Sequence, residues 1–315
     1  MVNAAWVVTG GTGSLGSRLV RYILETREPR KIVVYSRDEF KQMTMARELD
    51  DPRVRYIIGD VRNTEALARA LRGVDYCIHT AALKHVDKAE YNPAEYMSTN
   101  YGGTLSCVEA CDKVGVRRMV FVSTDKAVQP INLYGTSKAA AEKVVIAACA
   151  SNCNIYTVVR YGNVLESRGS VLLLFRSLVE QGVERLPVTD EAMTRFAMSF
   201  SMALTLIDQA LDGPPQVIYV AKAKSFRMLD LCVAMDKLPT IVGQRGGEKM
   251  HETLIGRHES EYTTDWGDHY RIAPRIPADG DIDYTGGAAV PVGFEYSSGT
   301  TRARLMAEEL KAWAK

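Results

Sequence analysis

The chain has 315 residues, is 46% hydrophobic, and sets 39 Lys+Arg against 38 Asp+Glu for a net charge of +1. That is enough apolar residue for one large or two modest globular domains. Near neutrality excludes a global field for a nucleic-acid polymer or a membrane surface, so an anionic ligand would have to be held by a local cluster.

Residues 4–9 are a short apolar run and predict a first strand, followed by a glycine turn and a helical pattern over 15–24. Strands follow at 31–35 and 54–58, a helix at 65–71, and a strand at 76–80. A long helix over 100–114 is stopped by Gly115, with a strand at 118–123 behind it. An alanine-rich helix over 132–151 precedes a strand at 155–160. Short apolar strands alternating with helices predict an α/β fold with a parallel sheet covered on both faces. After Tyr161 the rhythm changes: helices at 170–181, 200–211 and 228–235, a late strand at 217–220, and a short extended piece at 240–242. Residues 256–299 are polar, aromatic-dotted and rich in Gly and Pro, which reads as loops covering a ligand. Residues 301–313 predict a closing amphipathic helix. The expected organisation is a dinucleotide-binding domain over 1–162, to which segments near 193–222 return, and a mainly substrate-binding domain over 163–315.

Gly10, Gly13 and Gly16 follow the first strand directly. Glycines there let the turn approach a pyrophosphate, and the next helix offers free N–H groups to it. Thr12, Ser14 and Leu15 belong to the same turn. The second strand ends at Tyr35-Ser-Arg-Asp-Glu-Phe-Lys41. Ser36, Arg37 and Lys41 at its tip suit a 2′-phosphate and favour NADP over NAD. The alternative has Asp38 on a free ribose and Arg37 stacked on adenine. Asp60, with Val61 after it, would either accept from the adenine amino group or cap a helix, and Ala81 and Ala82 are small enough for a cofactor to lie against.

Tyr134 and Lys138 are four residues apart on a predicted helix and so share a face. A lysine ammonium there would favour the phenolate, which takes a hydroxyl proton while hydride leaves the carbon. Thr124, at a strand end, would position the same hydroxyl. Asp125 and Lys126 add an acid and a base that hydride transfer alone does not need; their plain alternative is a loop ion pair. Oxidising a sugar C4 hydroxyl acidifies the C5 hydrogen, so a base at C5 and an acid at the C6 hydroxyl would eliminate water. Lys126 can be that base only when neutral, and a dry pocket near Lys138 is expected to push its pKa down. Lys84 and His85 could reach the sugar, Asn163 and Arg168 its diphosphate or the uracil edge, and Thr189, Arg195, Glu248 and Lys249 are further candidate contacts to a sugar nucleotide, the late cations for its diphosphate.

Six cysteines include two pairs four apart, Cys107/Cys111 and Cys149/Cys153, read as small buried hydrophobes. There is no CxxC, and the five histidines lack metal-ligand spacing, so no metal is expected. A reducing cytoplasm fits these cysteines, and neither a basic signal-peptide head nor an apolar run of about 20 residues is present.

Taken together, Thr9 to Gly16, His79-Thr-Ala-Ala-Leu-Lys-His85, Ser123-Thr-Asp-Lys-Ala127, Tyr134 to Lys138, Arg160 to Val164, Ser167 to Val171, Pro187 to Phe196 and Gly247-Glu-Lys-Met-His-Glu-Thr-Leu254 resemble the inverting UDP-N-acetylglucosamine 4,6-dehydratases, which serve pseudaminic acid or capsular sugar synthesis. These belong to the extended short-chain dehydrogenase/reductase superfamily. The resemblance spans nearly the whole chain. It implies a Rossmann-type doubly wound parallel sheet with a smaller, interleaved C-terminal domain, bound NADP, a UDP-sugar substrate and a homo-oligomer. It assigns hydride transfer to Thr124, Tyr134 and Lys138, and elimination to Asp125 and Lys126. The implied product is a UDP-2-acetamido-2,6-dideoxy-4-ketohexose inverted at C5. Retaining relatives carry Asp-Glu in place of Asp125-Lys126. Tyr101, Ala197 and Gly247 depart from the pattern: a small β-branched residue, a larger residue and proline are usual there. The competing readings are a UDP-sugar 4-epimerase, which has no use for Asp125 and Lys126, a retaining or a 5,6-dehydratase, and a non-catalytic cofactor-binding protein.

Overall fold

Ala5–Thr9 (β1) is buried at every position, as its continuous apolar sequence requires of a strand covered on both faces. The computed structural model describes residues 2–149, 154–277 and 282–314. In chain order β1 is followed by Ser14–Thr26 (α1), Lys31–Ser36 (β2), Glu39–Leu49 (α2), Val54–Ile58 (β3), Thr64–Ala70 (α3), Tyr76–His79 (β4), Val86–Tyr91 (α4) and Pro93–Tyr96 (α5). A π-helical turn, Met97–Gly102, leads into Gly103–Val114 (α6), then Arg118–Val122 (β5), a 3₁₀ turn at Asp125–Ala127, Leu133–Ala148 (α7) and Ile155–Arg160 (β6). The remainder comprises Asn163–Val164 (β7), Val171–Glu180 (α8), Arg185–Val188 (β8), Thr194–Met198 (β9), Phe200–Asp212 (α9), Ile218–Ala221 (β10), Lys224–Arg227 (β11), Met228–Ala234 (α10), Leu238–Ile241 (β12), Thr253–Ile255 (β13), Thr263–Asp265 (β14), His269–Ile272 (β15), Ala288–Ala289 (β16), Tyr296–Ser297 (β17) and Ala307–Ala314 (α11).

The main sheet runs β16-β14-β15-β10-β6-β5-β4-β1-β2-β3. Neighbours from β3 to β10 pair in parallel, and β15, β14 and β16 continue antiparallel. This is the doubly wound architecture, with its strand order reversing between β1 and β4, where a ligand crevice opens at the carboxyl ends of the strands. Register fixes the core beneath that crevice: Trp6 pairs with Tyr76 across β1 and β4, and their rings stack at 4.4 Å. A second, smaller core gathers Leu165, Phe175, Leu186, Phe226 and Leu231, with Leu310 of α11. A three-stranded sheet, β11-β9-β7, lies beside it.

Two expectations change, and one helix, α2, is new. Residues 256–299 are not simply covering loops. Thr263–Asp265 and His269–Ile272 form a hairpin that extends the main sheet beyond β10, turning at Gly267 with φ +88°. Their polar and aromatic sequence is that of an edge, where Arg271 lies over the Trp266 ring at 3.7 Å. Helix α2 has almost no apolar periodicity, burying only Gln42 and Met45, and is set by its cap: the Asp38 carboxylate accepts from Lys41 N at 3.0 Å. The closing helix begins only at Ala307. The C-terminal end of the predicted 132–151 helix, and with it Cys153, falls outside the described residues. Cys77, Cys107 and Cys111 are fully buried between β4 and α6, with Cys77 Sγ 3.7 Å from Cys107 Sγ.

Ile78, fully buried in β4 at the centre of the sheet, is a direct test of this core. Ile78→Ala is expected to lower the unfolding free energy by about 2–5 kcal/mol in a denaturant titration, through lost burial and a residual cavity.

Candidate active site

At the end of β1 the backbone of Gly10 takes φ +65°, and a Cβ there would lie 2.8 Å from the Ala81 backbone. A Cβ on Gly16 would lie 2.5 Å from the Gly10 carbonyl oxygen and 2.7 Å from Gly11 Cα. Only glycine lets α1 start this close to the turn, and its N-terminus at Gly13 has no side-chain cap, so its N–H groups face the crevice uncapped. The cleft above has a volume of about 620 Å³. Gly10, Gly13, Ser14, Leu15 and Gly16 line one side, Ala82, Lys84 and His85 the next, and Thr124 to Lys126, Tyr134 and Lys138 the far wall. The turn, the uncapped helix and the long cleft fit a dinucleotide with a second ligand at its nicotinamide end.

The tip of β2 does not offer free cations. Lys41 Nζ lies 2.5 Å from Asp38, and Arg37 Nη1 lies 3.6 Å from Asp60. The buried Ser36 hydroxyl accepts from Gln42 Nε2 at 3.0 Å and Thr12 Oγ1 at 3.2 Å. Lys41 is thus bonded to a carboxylate of its own and Arg37 stands beside another, a setting unlike an open cradle for a 2′-phosphate. Asp60 also accepts from Arg62 N at 3.0 Å and pairs with the Arg62 guanidinium at 2.6 Å, while Asn63, not Asp60, caps α3. Val61 is buried where Gly103 approaches it.

Beyond β5 the Thr124 hydroxyl donates to Asp125 Oδ1 at 2.8 Å. Lys126 Nζ sits 3.1 Å from Asp125 Oδ1 and 3.1 Å from Glu252 Oε1. Burial pulls this ammonium down, but Asp125 and then Glu252 outweigh it, and the net shift is well above the usual lysine range. The sequence expectation of a depressed Lys126 is therefore reversed, because two carboxylates rather than another cation face it. Burial pushes the Asp125 carboxyl up against the pull of Lys126. Lys138 Nζ donates to Val122 O at 2.6 Å and stands 3.9 Å above the Phe121 ring; burial pushes it down to about 7, opposed by Glu142. Burial raises the Tyr134 phenol to about 12, and Lys126 is the first group acting to lower it. The positive neighbour that favours a phenolate here is thus Lys126 rather than Lys138.

The other candidates divide into two sets. Lys84, His85, Asn163 and Arg168 line the cleft. Asn163 Oδ1 is buried with no partner. Arg168 reaches back over the glycine turn, donating to Thr12 O at 2.6 Å and Ser14 Oγ at 3.2 Å, while Lys84 Nζ holds the Arg168 carbonyl at 2.7 Å. Thr189, Arg195, Glu248 and Lys249 do not line it. Thr189 donates to Glu248 at 3.2 Å, Lys249 Nζ to Val128 O at 2.5 Å, and Arg195 Nη1 to the carbonyls of Thr194 and Lys249 at 2.8 and 3.0 Å. Gly247 has φ +80°, which proline cannot adopt, so the departure at that position has a backbone cause. Its carbonyl accepts from Asn132 Nδ2 at 2.7 Å. Ala197 is buried in the second core; Tyr101 sits in the π-helical turn, and nothing in the structure explains the choice of tyrosine.

Sequence reading missed two residues. Asn100, turned inward by the π-helical turn, bonds Leu83 N and O at 2.8 and 2.9 Å and Ser137 Oγ at 2.9 Å, tying the cleft wall to α7. Glu252 completes the Lys126 site. Its signal was the His251-Glu252 step in the resemblance motif, remote in sequence from Asp125.

The polysaccharide biosynthesis protein family model matches residues 6–274. The chain belongs to that family. An inverting UDP-N-acetylglucosamine 4,6-dehydratase from Campylobacter jejuni is 41% identical over 308 residues, covering 93% of this chain and 91% of the relative. A UDP-glucose 4-epimerase from Rickettsia canadensis is 38% identical, covering 98% of this chain and 95% of the relative. The structure of Pen from Bacillus thuringiensis superposes with a TM-score of 0.89 at 30% identity, covering 99% of this chain and 97% of that one. The chain is thus an extended short-chain dehydrogenase/reductase of the nucleotide-sugar epimerase and dehydratase kind, related to the inverting dehydratases. DesIV from Streptomyces venezuelae, a dTDP-glucose 4,6-dehydratase solved with NAD and TYD bound, aligns at 26% identity and TM-score 0.72 over 78% of this chain and 86% of that one. The NADP expectation is corrected: both DesIV structures hold NAD, and the carboxylates beside Arg37 and Lys41 are the physical reason to agree with them. Among the described residues, no helix is long and apolar enough to cross a membrane.

Lys138 supplies a pH test. Unfolded, it binds a proton below about 10.5, whereas folded it stays neutral down to about 7, so stability without cofactor rises as pH climbs through that window. Lys138→Met is expected to flatten this rise in denaturant titrations run at pH 7, 8 and 9.

Proposed function

We propose that the protein is an NAD-dependent UDP-N-acetylglucosamine 4,6-dehydratase that inverts C5. The observation that carries the reading is the hydrogen-bonded Asp125–Lys126 pair, 3.1 Å apart beside Thr124 and Tyr134 in the cleft wall. Bound NAD supplies the hydride acceptor at C4 and the donor that later reduces C6. Tyr134, as phenolate, takes the C4 hydroxyl proton, with Thr124 orienting that hydroxyl and Lys126 favouring the charged phenol. Moving one proton from Lys126 Nζ to Asp125 Oδ1 creates a neutral amine and a carboxylic acid together, with no net proton gained or lost. The amine then removes the C5 hydrogen, the acid protonates the departing C6 hydroxyl, and once C6 has been reduced a solvent proton reaches C5 on the face opposite Lys126, which inverts it. Burial, which raises Asp125, favours that tautomer. Among the cleft-lining groups, Lys84 and Arg168 are the cations suited to the diphosphate, and Asn163 offers its unpartnered Oδ1 to the sugar nucleotide.

A second reading, 4-epimerisation, is favoured by the Rickettsia relatives, whose epimerase names attach to chains 36–38% identical along 98% of this one. The two readings part at C5. Incubation with UDP-N-acetylglucosamine and NAD in deuterated water is expected to give a 4-keto, 6-methyl sugar with deuterium at C5 and altered C5 couplings in its NMR spectrum. A C4 epimer with unlabelled C5 would establish the epimerase instead.

Two substitutions separate the steps. Tyr134→Phe is expected to slow C4 oxidation, followed as reduced nicotinamide absorbance, by about 10²–10⁴-fold. Lys126→Met is expected to cut C5 deuterium incorporation by a similar factor and, by removing the charge that favours the phenolate, to slow C4 oxidation to a lesser degree, with the C4-oxidised sugar seen by trapping the ketone with borodeuteride.

A further inference from the structure

Lys126 is not simply paired with its neighbour in sequence. Its ammonium lies between Asp125 Oδ1 and Glu252 Oε1, both at 3.1 Å, and the Glu252 side chain is 3% exposed. Behind Glu252, Arg195 Nε stands 3.8 Å from the same Oε1, and Arg195 is itself pinned to three backbone carbonyls. The Glu252 backbone is fixed as well: its N–H donates to Ser298 Oγ at 2.9 Å. Asp125 Oδ2 and Glu252 Oε2 are both buried without partners. A carboxylate desolvated this far, held rigidly and aimed at one amine, does more than fill space.

We propose that Glu252 is the positioning residue of the elimination step: it holds the Lys126 amine against the cleft wall and keeps it charged until Asp125 takes the proton. The proposal rests on the dehydratase reading above. The geometry divides the two carboxylates by role. Asp125 is bonded to Thr124 and lines the cleft, whereas Glu252 lies outside the cleft lining and carries the arginine counter-charge. Burial works to raise both, but Lys126 and then Arg195 outweigh it at Glu252 and hold that carboxyl low, while Asp125 stays raised. A shared proton leaving Lys126 therefore goes to Asp125, the group that must next protonate the leaving hydroxyl. Glu252 stays ionised throughout and stabilises the ammonium that forms again when the amine takes the C5 hydrogen. The other charged or titratable groups bearing on this amine are Tyr134 from α7, Arg195 from β9, Lys84 from the loop after β4 and Lys249 from Glu252's own loop.

The test uses the NAD-loaded enzyme, with Lys126 followed by ¹³C NMR of methyl-labelled amines assigned through Lys126→Arg. In the wild type this amine is expected to titrate above the ordinary lysine range; titration at or below it would overturn the proposal without any variant. Glu252→Gln, checked for fold by circular dichroism, is expected to lower the Lys126 titration by about 1–3 units. It should also reduce C5 deuterium incorporation relative to C4 oxidation by about tenfold or more and shift the alkaline limb of the pH–rate profile downward. Glu252→Asp is expected to restore part of both. An unchanged titration, or equal loss of both steps with no pH shift, would show that Glu252 is merely structural. If the wild type itself incorporates no deuterium at C5, the dehydratase reading fails and the elimination role falls with it. The Lys126 titration still reports independently whether the Glu252 contact controls the amine.

Discussion

Burying an ammonium group is costly unless opposite charges accompany it, and the active wall of this protein is arranged around that constraint. Lys126 is accompanied by Asp125 and Glu252, and Glu252 in turn by Arg195. The four charges sum to zero. They come from the turn after β5, from β9 and from the loop entering β13, so the two cores must meet in one arrangement for the group to close. A similar solution recurs beneath it: Arg160 on β6 is held by Glu142 of α7 at 2.7 Å and Glu259 at 3.0 Å, and the Ser123 hydroxyl donates to Glu142 at 2.5 Å. Lys126 and Arg160 thus each tie a strand end of the parallel sheet to chain that arrives about a hundred residues later.

That arrangement explains why the two lysines of the site differ. Lys138 faces a carbonyl and an aromatic ring, with a single carboxylate to support its charge, and is driven toward neutrality. Lys126 faces two carboxylates and keeps its charge. The same residue type, in one cleft, is set to opposite states by what surrounds it.

Local signals carried most of the fold. Apolar strand runs, the glycine turn and Gly115 at φ +73° behind α6 are decided by residues within a few positions of each other, and their elements stand where periodicity puts them. Helix α2 escaped because a polar cap rather than an apolar stripe defines it. The β14–β15 hairpin escaped because edge strands need no continuous apolar run. Within the site, the face shared by Tyr134 and Lys138 followed from helical spacing. The partners of each charge did not: Arg37 with Asp60, and Lys126 with Glu252, are joined by tertiary structure, and a residue's charge alone does not reveal what has already neutralised it. Reading the β2 tip as a phosphate cradle failed for that reason.

Asn132 caps α7 through Gly135 N at 2.7 Å while its amide nitrogen grips the Gly247 carbonyl at 2.7 Å. One short side chain is thus both the first peg of the helix that bears Tyr134 and the latch of the segment that delivers Glu252. The start of α7 and the segment leading to Glu252 therefore share one anchor, and losing that side chain would loosen both at once, two residues from Tyr134.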